Sequence, residues 1–198
     1  MSPRRVTLTR RAVPVEQRLV YSQVVEGLLQ HGLHGRVTHR LKQRLKQAGL
    51  DVDRPLMPAY PVEIWERCVG LAAKAIHPDQ PEEVAWRLLG ERHIDGYRET
   101  MLGRAMFGVL GLLGPKRRLS RTRQNFRAGN NYQEVIITDL GPTEVDVWLN
   151  ERGMLRYFKH GIMLGSVRGV GEPNTKVVLR HFDDEGVTIR VSWGDPTP

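Results

Sequence analysis

Histidine is the residue type with the clearest potential for metal binding, because the chain has seven histidines and a single cysteine. His31 and His34 are three residues apart, a spacing that would place both imidazoles on one face of a helix, and His39 follows. Gly32 and Gly35 interrupt this segment, and a zinc site needs a third protein ligand with support from its surroundings. We therefore interpret these histidines as surface residues and predict no metal site.

Two other residues could carry chemistry on their own. His93 could be imagined as an axial haem ligand, but a lone helical histidine is more often simply packed or solvated. Cys68 lies four residues after Ile64 and three before Leu71, which places its thiol on an apolar helix face. A single cysteine excludes an intrachain disulfide and a thiolate-rich metal site. We expect Cys68 to be a buried, unreactive thiol.

The sequence contains no arrangement typical of a catalytic site. The acid pair Glu82-Glu83 lies where a helix begins, and the acids at 183–185 lie in a tight turn, so capping and turn formation explain both. The serines lack the Gly-x-Ser-x-Gly setting of a nucleophile elbow. The glycine-rich segment 165–171 closes a helix, whereas a phosphate cradle follows a strand and opens a helix. We expect no catalytic residues and no enzymatic activity.

The basic segment 116–127 is the strongest functional signal. No Asp or Glu occurs between residues 101 and 133, so the like charges repel unless a partner or distant acids neutralise them. One interpretation is an anion site for nucleic acid, a nucleotide, an acidic protein or a lipid head group. The other is a solvated helix whose Leu119 and Phe126 point into the core. The candidate anion-binding residues are Lys116, Arg117, Arg118, Arg121, Arg123 and Arg127.

Charge is distributed unevenly along the 198 residues, whose formal net charge is +8. Residues 1–133 hold 23 Lys and Arg against 12 Asp and Glu, whereas residues 134–198 hold 7 against 10. This asymmetry favours an anionic partner for the first part, or a head-to-tail contact that would be compatible with a homodimer. No stretch reaches the roughly 20 apolar residues of a membrane span, and the N-terminus lacks the apolar run of a signal peptide. We expect a cytoplasmic protein with no membrane span.

The hydrophobic pattern predicts one α+β domain over residues 17–193, between a flexible basic tail at 1–16 and a disordered tail at 194–198. The helical part covers 17–128. Residues 19–33 favour a short strand passing into a helical turn. Thr38 is the expected N-cap of a helix over 39–48 that ends at Gly49, and further helices are expected after Pro61, from Glu82 and over 101–113.

The sheet part covers 129–193, where apolar residues alternate. Strands are predicted at 134–138, 145–149, 176–180 and 187–193, with one helix at 154–167. The order ββαββ predicts a four-stranded antiparallel sheet with a helix across one face, on which the N-terminal helices pack. The turn Gly129-Asn130-Asn131 joins the two parts. We predict a structural hinge there, because glycine and asparagine tolerate positive φ and asparagine can bond nearby backbone groups.

Several motifs distributed along the chain resemble a family of roughly 200-residue uncharacterised paralogous proteins expanded in myxobacteria. The resemblance extends from about Val20 to Trp193 and implies a signalling or adaptor protein. It rests on the residues Pro58-Ala59-Tyr60-Pro61-x3-Trp65, Gly96-Tyr97-x2-Thr100-x2-Gly103-Arg104, Leu113-Gly114-Pro115 and Asn125-Phe126-Arg127-x-Gly129-Asn130-Asn131-Tyr132.

Helices followed by a ββαββ sheet also resemble, at the level of the fold, a superfamily of haem-based nitric-oxide sensors, small-molecule-binding regulatory domains and vesicle-tethering subunits. The haem-propionate motif of those sensors, Tyr-x-Ser-x-Arg, is absent from this sequence, so we expect no cofactor. The sequence therefore favours a non-enzymatic signalling or adaptor module that binds an unknown small ligand between helices and sheet, or an acidic protein. The alternative is a nucleic-acid-binding regulator that uses segment 116–127.

Overall fold

The change of hydrophobic period near residue 130 separates a helical half from a sheet half. The computed structural model describes residues 13–168 and 174–194. Most of the expected N-terminal tail, residues 169–171 of the glycine-rich segment and residues 195–198 lie outside this range. The described chain begins with Val13, which packs against the core, and a short 3-10 helix at Val15–Gln17.

The helical half contains seven α-helices and a two-stranded ribbon among its described residues. The ribbon pairs β1, Leu19–Tyr21, with β2, Ala59–Pro61, in antiparallel register. A π-helical turn at Gly27–Gly32 extends the first helix. The helices are α1 (Ser22–Glu26), α2 (His39–Gln47), α3 (Val62–Ile76), α4 (Glu82–Glu99), α5 (Met101–Gly111), α6 (Pro115–Ser120) and α7 (Thr122–Gly129).

Local sequence signals set several of these helix ends. Thr38 Oγ1 accepts a hydrogen bond from Leu41 N at 3.3 Å and caps α2, as predicted. Gly49 follows that helix with φ of +104°, the left-handed conformation that glycine adopts at least cost. Thr100 separates α4 from α5, because its hydroxyl donates to Tyr97 O and accepts from Gly103 N.

The sheet half has the predicted ββαββ order. Strands β3 (Val135–Gly141) and β4 (Glu144–Leu149) precede α8 (Leu155–Arg168), and β5 (Lys176–Phe182) and β6 (Val187–Ser192) follow it. The spatial order is β3-β4-β6-β5, and every neighbouring pair is antiparallel. The prediction of an α+β fold with a four-stranded antiparallel sheet is therefore confirmed.

The turn at 129–131 is fixed by side-chain hydrogen bonds. Asn130 Oδ1 accepts from the backbone N–H groups of Tyr132 and Gln133, and the Asn131 amide bonds the backbone beside β1. The expectation of positive φ is wrong here, since Asn130 is extended with φ of −164° and Gly129 is not among the residues with positive φ. Gly129 instead allows close approach, because a Cβ there would lie 2.8 Å from Val24 Cγ2.

Two clusters of buried side chains form the core, and α8 joins them. One cluster fills the helical half and includes Phe158 and Ile162 of α8. The other covers the inner face of the sheet and includes Met163 of α8 and Leu119 of α6. Phe126 of α7 packs against both clusters. Residues of α8 and of α5 to α7 line the space between the two clusters.

Helices α4 and α8 cross with their backbones in contact. A Cβ on Gly90 would lie 2.0 Å from Phe158 O, and a Cβ on Gly161 would lie 1.9 Å from Arg87 O. Any larger residue at this crossing would push the helices apart. The crossing positions His93, one turn after Gly90, and Lys159, two residues before Gly161.

Candidate ligand-binding cavity

A cavity of about 130 Å³ lies between the two core clusters. We call it the central cavity. Its wall is mostly apolar, and both the helices and the sheet contribute residues to it. Helix α5 contributes Met106, Phe107 and Leu110, and α7 contributes Phe126. Helix α8 contributes, among others, Phe158, Ile162 and Met163, and the sheet side contributes Val191 and Trp193.

Helix α5 forms one side of the central cavity and is only lightly packed. Among its residues only Gly103 and Leu110 are buried, while Met106 and Phe107 are half-buried. Its opposite face is exposed, and Met101 has 83% of its surface in solvent. The guanidinium of Arg98 lies 4.7 Å from the centre of the Phe107 ring and donates to Gly165 O of α8 at 2.9 Å. Arg98 of α4 thus ties α5 to α8.

His93 is a buried imidazole on the cavity wall. Its ring packs 5.5 Å from the centre of Phe158 and 5.8 Å from that of Tyr97. Burial, with a smaller contribution from nearby Lys159, lowers the pKa of His93 from 6.5 to about 3, so the ring is neutral at physiological pH. Its Nδ1 is buried without a hydrogen-bond partner among the described residues. An unpaired polar atom beside a cavity is a natural place for a ligand atom to bond.

Lys159 is a second polar group on this wall and belongs to a buried cluster. Its Nζ lies 3.7 Å from Glu151 Oε2 and 4.8 Å from the centre of the Phe126 ring. The Tyr132 hydroxyl donates to the same Glu151 oxygen at 3.3 Å. Burial lowers the pKa of Lys159 and raises those of Glu151 and Tyr132, because each charged form is poorly solvated there.

Sequence reasoning considered His93 only as a lone histidine and did not single out Lys159. A signal for Lys159 was present, since it lies four residues after Leu155 and three before Ile162. That spacing places a lysine on the apolar stripe of α8, where a charged residue is seldom found without a partner. The partner, Glu151, follows β4 and could be matched to Lys159 only once the fold was known.

The six basic residues of segment 116–127 fall into two groups. Lys116 pairs with Asp139 at 2.6 Å and donates to Gly141 O, so it joins α6 to the β3–β4 turn. Arg118 is half-buried, lines the central cavity and donates from Nε to Leu110 O at 2.8 Å. The other four are exposed and form no ion pair within the described parts of the chain. We call them the arginine strip: Arg117, Arg121, Arg123 and Arg127.

Other kinds of site are not found among residues 13–168 and 174–194. No three His, Cys, Asp or Glu side chains there come close enough to hold a metal ion. No helix in those ranges combines the length and the apolar character needed to cross a membrane. Cys68 is buried, and burial raises its pKa to about 11. Asp183 accepts from the backbone N–H groups of Glu185 and Gly186, so it serves the predicted tight turn.

Comparison with known protein families identifies the family of this chain. Residues 18–194 match the family described as "Protein of unknown function (DUF2378)". The chain belongs to this family. The match covers both the helical half and the sheet half, including every wall of the central cavity. No curated protein matches the chain.

Solved structures similar to this DUF2378 protein share its fold at low sequence identity. A single-residue variant of Tt H-NOX has a TM-score of 0.63 at 17% identity, covering 88% of this chain and 93% of its own. An oxygen-binding H-NOX domain related to soluble guanylate cyclases has a TM-score of 0.61 at 16% identity, with the same coverage of both chains. A structure concerned with haem redox potential and porphyrin distortion has a TM-score of 0.62 at 16% identity, again with that coverage. These likenesses establish the fold alone.

Haem is the group that these neighbours imply, and the residues of the central cavity do not fit it. The cavity is close in size to one of about 150 Å³ that holds a single benzene ring, whereas a porphyrin contains four pyrrole rings. Helix α5 presents no His, Cys or Tyr to the cavity, and the Met106 thioether is the one side chain that it presents there of a type that ligates haem iron. The His93 imidazole has an unpaired Nδ1, but the space of about 130 Å³ beside it is too small for a macrocycle, and Lys159 already pairs with Glu151.

Proposed function

We propose that this protein is a non-enzymatic, ligand-binding sensor or adaptor module whose ligand is a small, mostly apolar molecule held in the central cavity. The observation that carries the proposal is an apolar cavity beside a buried, neutral His93 whose Nδ1 has no described partner. Protein interiors are normally packed without voids of this size, so an apolar cavity of about 130 Å³ is itself a feature to explain. Similarity of fold to H-NOX domains, one of them oxygen-binding, supports the proposal.

The size and polarity of the cavity limit its ligand. A volume of about 130 Å³ suits a molecule near benzene in size. Lys159 and Glu151 already pair with each other, and Arg118, the other cation on the wall, already donates to Leu110 O, so a further net charge would be poorly compensated. The preferred ligand is therefore uncharged, with at most one or two polar atoms. Binding would pack α5, in which only Gly103 and Leu110 are buried, and a partner protein would respond to the change in its position.

A thermal-shift titration with toluene tests the proposal. A ligand that binds only the folded state at 100 times its Kd stabilises by about 2.7 kcal/mol, or roughly 5–10 °C in a chain of this length. We expect toluene and phenol to raise the Tm of the wild type in a saturable way. The variant Leu110→Trp should abolish the shift, because the indole would fill space now enclosed by the cavity wall.

The matched control is Leu112→Trp. Leu112 lies two residues further on, is 87% exposed and does not line the cavity. This variant should retain the toluene shift in full. Equal shifts in both variants, or no saturable shift in the wild type, would show that the cavity is not a ligand site.

A second function is favoured by the arginine strip. Arg121, Arg123 and Arg127 line one shallow surface depression, and Arg117 lies on the preceding helix, all exposed. We propose, as the alternative, that this strip binds the phosphates of nucleic acid in a regulatory protein. The four arginines of the strip lie close together and form no ion pair with the described residues, which supports this proposal. It makes no use of the central cavity.

Salt dependence tests the alternative. Four phosphate contacts predict that log affinity for duplex DNA falls with log salt at a slope of about −3.6. The double variant Arg121→Gln/Arg123→Gln should reduce the slope to about −1.8, whereas Arg152→Gln/Arg156→Gln, a pair in the acidic half, should leave it unchanged. Undetectable binding to DNA and RNA at low salt removes this alternative.

A further inference from the structure

Lys159 is the one amine on the described wall of the central cavity. The residue is only 7% exposed, and its charged end lies over Phe126, another residue of that wall. A lysine placed in an apolar environment loses its preference for the ammonium form and becomes a nucleophile. Burial does lower the pKa of Lys159. This amine therefore lies beside a mostly apolar cavity as a potential nucleophile.

The neighbours of Lys159 favour a neutral, electrophilic ligand over an anion. Glu151 lies 3.7 Å from Nζ and is itself buried, so a ligand carboxylate would add a second negative charge to the same enclosed space. A carbonyl group brings no net charge and presents an oxygen that can accept a hydrogen bond. It also presents an electrophilic carbon, which is the partner that a neutral amine requires.

We propose that the central cavity takes up small apolar aldehydes and that Lys159 captures them reversibly as an imine. This proposal rests on the proposed ligand-binding function and names the ligand class for it. Aldehydes from butanal to benzaldehyde match a space that suits a benzene-sized molecule. Burial lowers the pKa of Lys159 and raises that of Glu151, which favours a free amine beside a protonated acid.

The step balances without an oxidant or reductant. Lys159 gives a proton to Glu151, and the free Nζ lone pair forms a C–N bond to the carbonyl carbon as the C=O π bond breaks. The carbonyl oxygen takes up the proton from Glu151, and Nζ releases a proton back to Glu151. The resulting carbinolamine loses its hydroxyl group with a proton, as one water, and a C=N double bond replaces the former C–O bond. Glu151, held by the Tyr132 hydroxyl, is the group placed to accept and return these protons. Addition of water reverses every step and releases the aldehyde.

Reductive trapping tests the proposal on the full chain. Benzaldehyde at a concentration below that of the protein is added with cyanoborohydride, which converts an imine to a stable secondary amine, and the modified lysine is located by peptide mass spectrometry. We expect Lys159 to be labelled at least about tenfold faster than the exposed Lys74 and Lys176, because burial lowers its pKa and leaves more of its amine neutral. The variant Lys159→Arg should lose the fast label and retain the slow one.

A competition in the wild type removes any dependence on the folding of that variant. Toluene should suppress labelling of Lys159 and leave Lys74 and Lys176 unaffected. Labelling of surface lysines alone, in a protein that toluene still stabilises, would overturn imine capture while the ligand-binding function stands. The absence of both the toluene shift and the Lys159 label would overturn the two together.

Discussion

The contact between α4 and α8 gives the sharpest test of how this fold is held together, and Gly161→Ala is the change that probes it. The added methyl would lie 1.9 Å from Arg87 O, whereas ordinary van der Waals contact begins near 3.4 Å. The helices must therefore separate locally by about 1.5 Å or bend. Overpacking of a rigid site costs about 1–3 kcal/mol, and backbone atoms cannot move aside as side chains do. The intrinsic gain of alanine over glycine in a helix, about 1 kcal/mol, offsets part of this.

We expect Gly161→Ala to lower the free energy of unfolding by about 2 kcal/mol, measured by urea denaturation monitored with far-UV circular dichroism. The control is Gly108→Ala in α5, where nothing lies within 4 Å of the new methyl and the residue is exposed. That variant should be stabilised by about 0.5–1 kcal/mol. A Gly161→Ala protein that is unchanged or stabilised like Gly108→Ala would show that the helices do not cross at this contact.

Three further predictions concern buried or anchoring groups. The depressed pKa of His93, 6.5 to about 3, means that the unfolded state binds more protons below pH 6.5, so stability is lost as pH falls. Between pH 7 and pH 5, the free energy of unfolding of the wild type should therefore fall by about 2 kcal/mol more than that of His93→Gln, as measured by urea titrations at each pH. Cys68, with its pKa raised to about 11, should resist iodoacetamide at pH 8 until urea unfolds the chain, and rapid native labelling would contradict its burial. Asn131→Ala should lower the Tm by several degrees through its two lost hydrogen bonds, about 1 kcal/mol each, whereas a comparable loss in Arg127→Ala would identify that arginine as structural.

The sheet half followed closely from the sequence because its signals are local. Alternation of apolar and polar residues predicted each strand. Asp183 accepts a hydrogen bond from a backbone N–H in the turn between the last two strands, as expected of an aspartate in a tight turn. The two ends of α2 could likewise be predicted from the sequence, because the Thr38 side chain caps its start and the left-handed backbone of Gly49 follows its end. In each case the determining contact lies within a few residues of the element that it shapes.

The central cavity could not be read from the sequence because its wall is assembled across the whole chain. Lys159 and Phe126 lie far apart in the sequence but in contact in the structure. The helix crossing that positions Lys159 depends on the close approach of Gly90 and Gly161. The basic segment was identified as a charge feature, yet Arg118 turns inward to cap carbonyl groups of α5. Tertiary contacts decide which basic side chains remain free to bind a partner. Those contacts cannot be predicted from the pattern of charges in the sequence.

Xenon binding measures the central claim most directly, because xenon requires an apolar, pre-formed space and no particular chemistry. A crystal of the protein pressurised with xenon should show an anomalous peak inside the central cavity, in contact with Phe107, Leu110 and Phe158. The same crystal form of Leu110→Trp should lack that peak. A wild-type cavity that holds ordered water in place of xenon, or that has closed so that neither enters, would contradict the account of this protein as a binder of small apolar ligands.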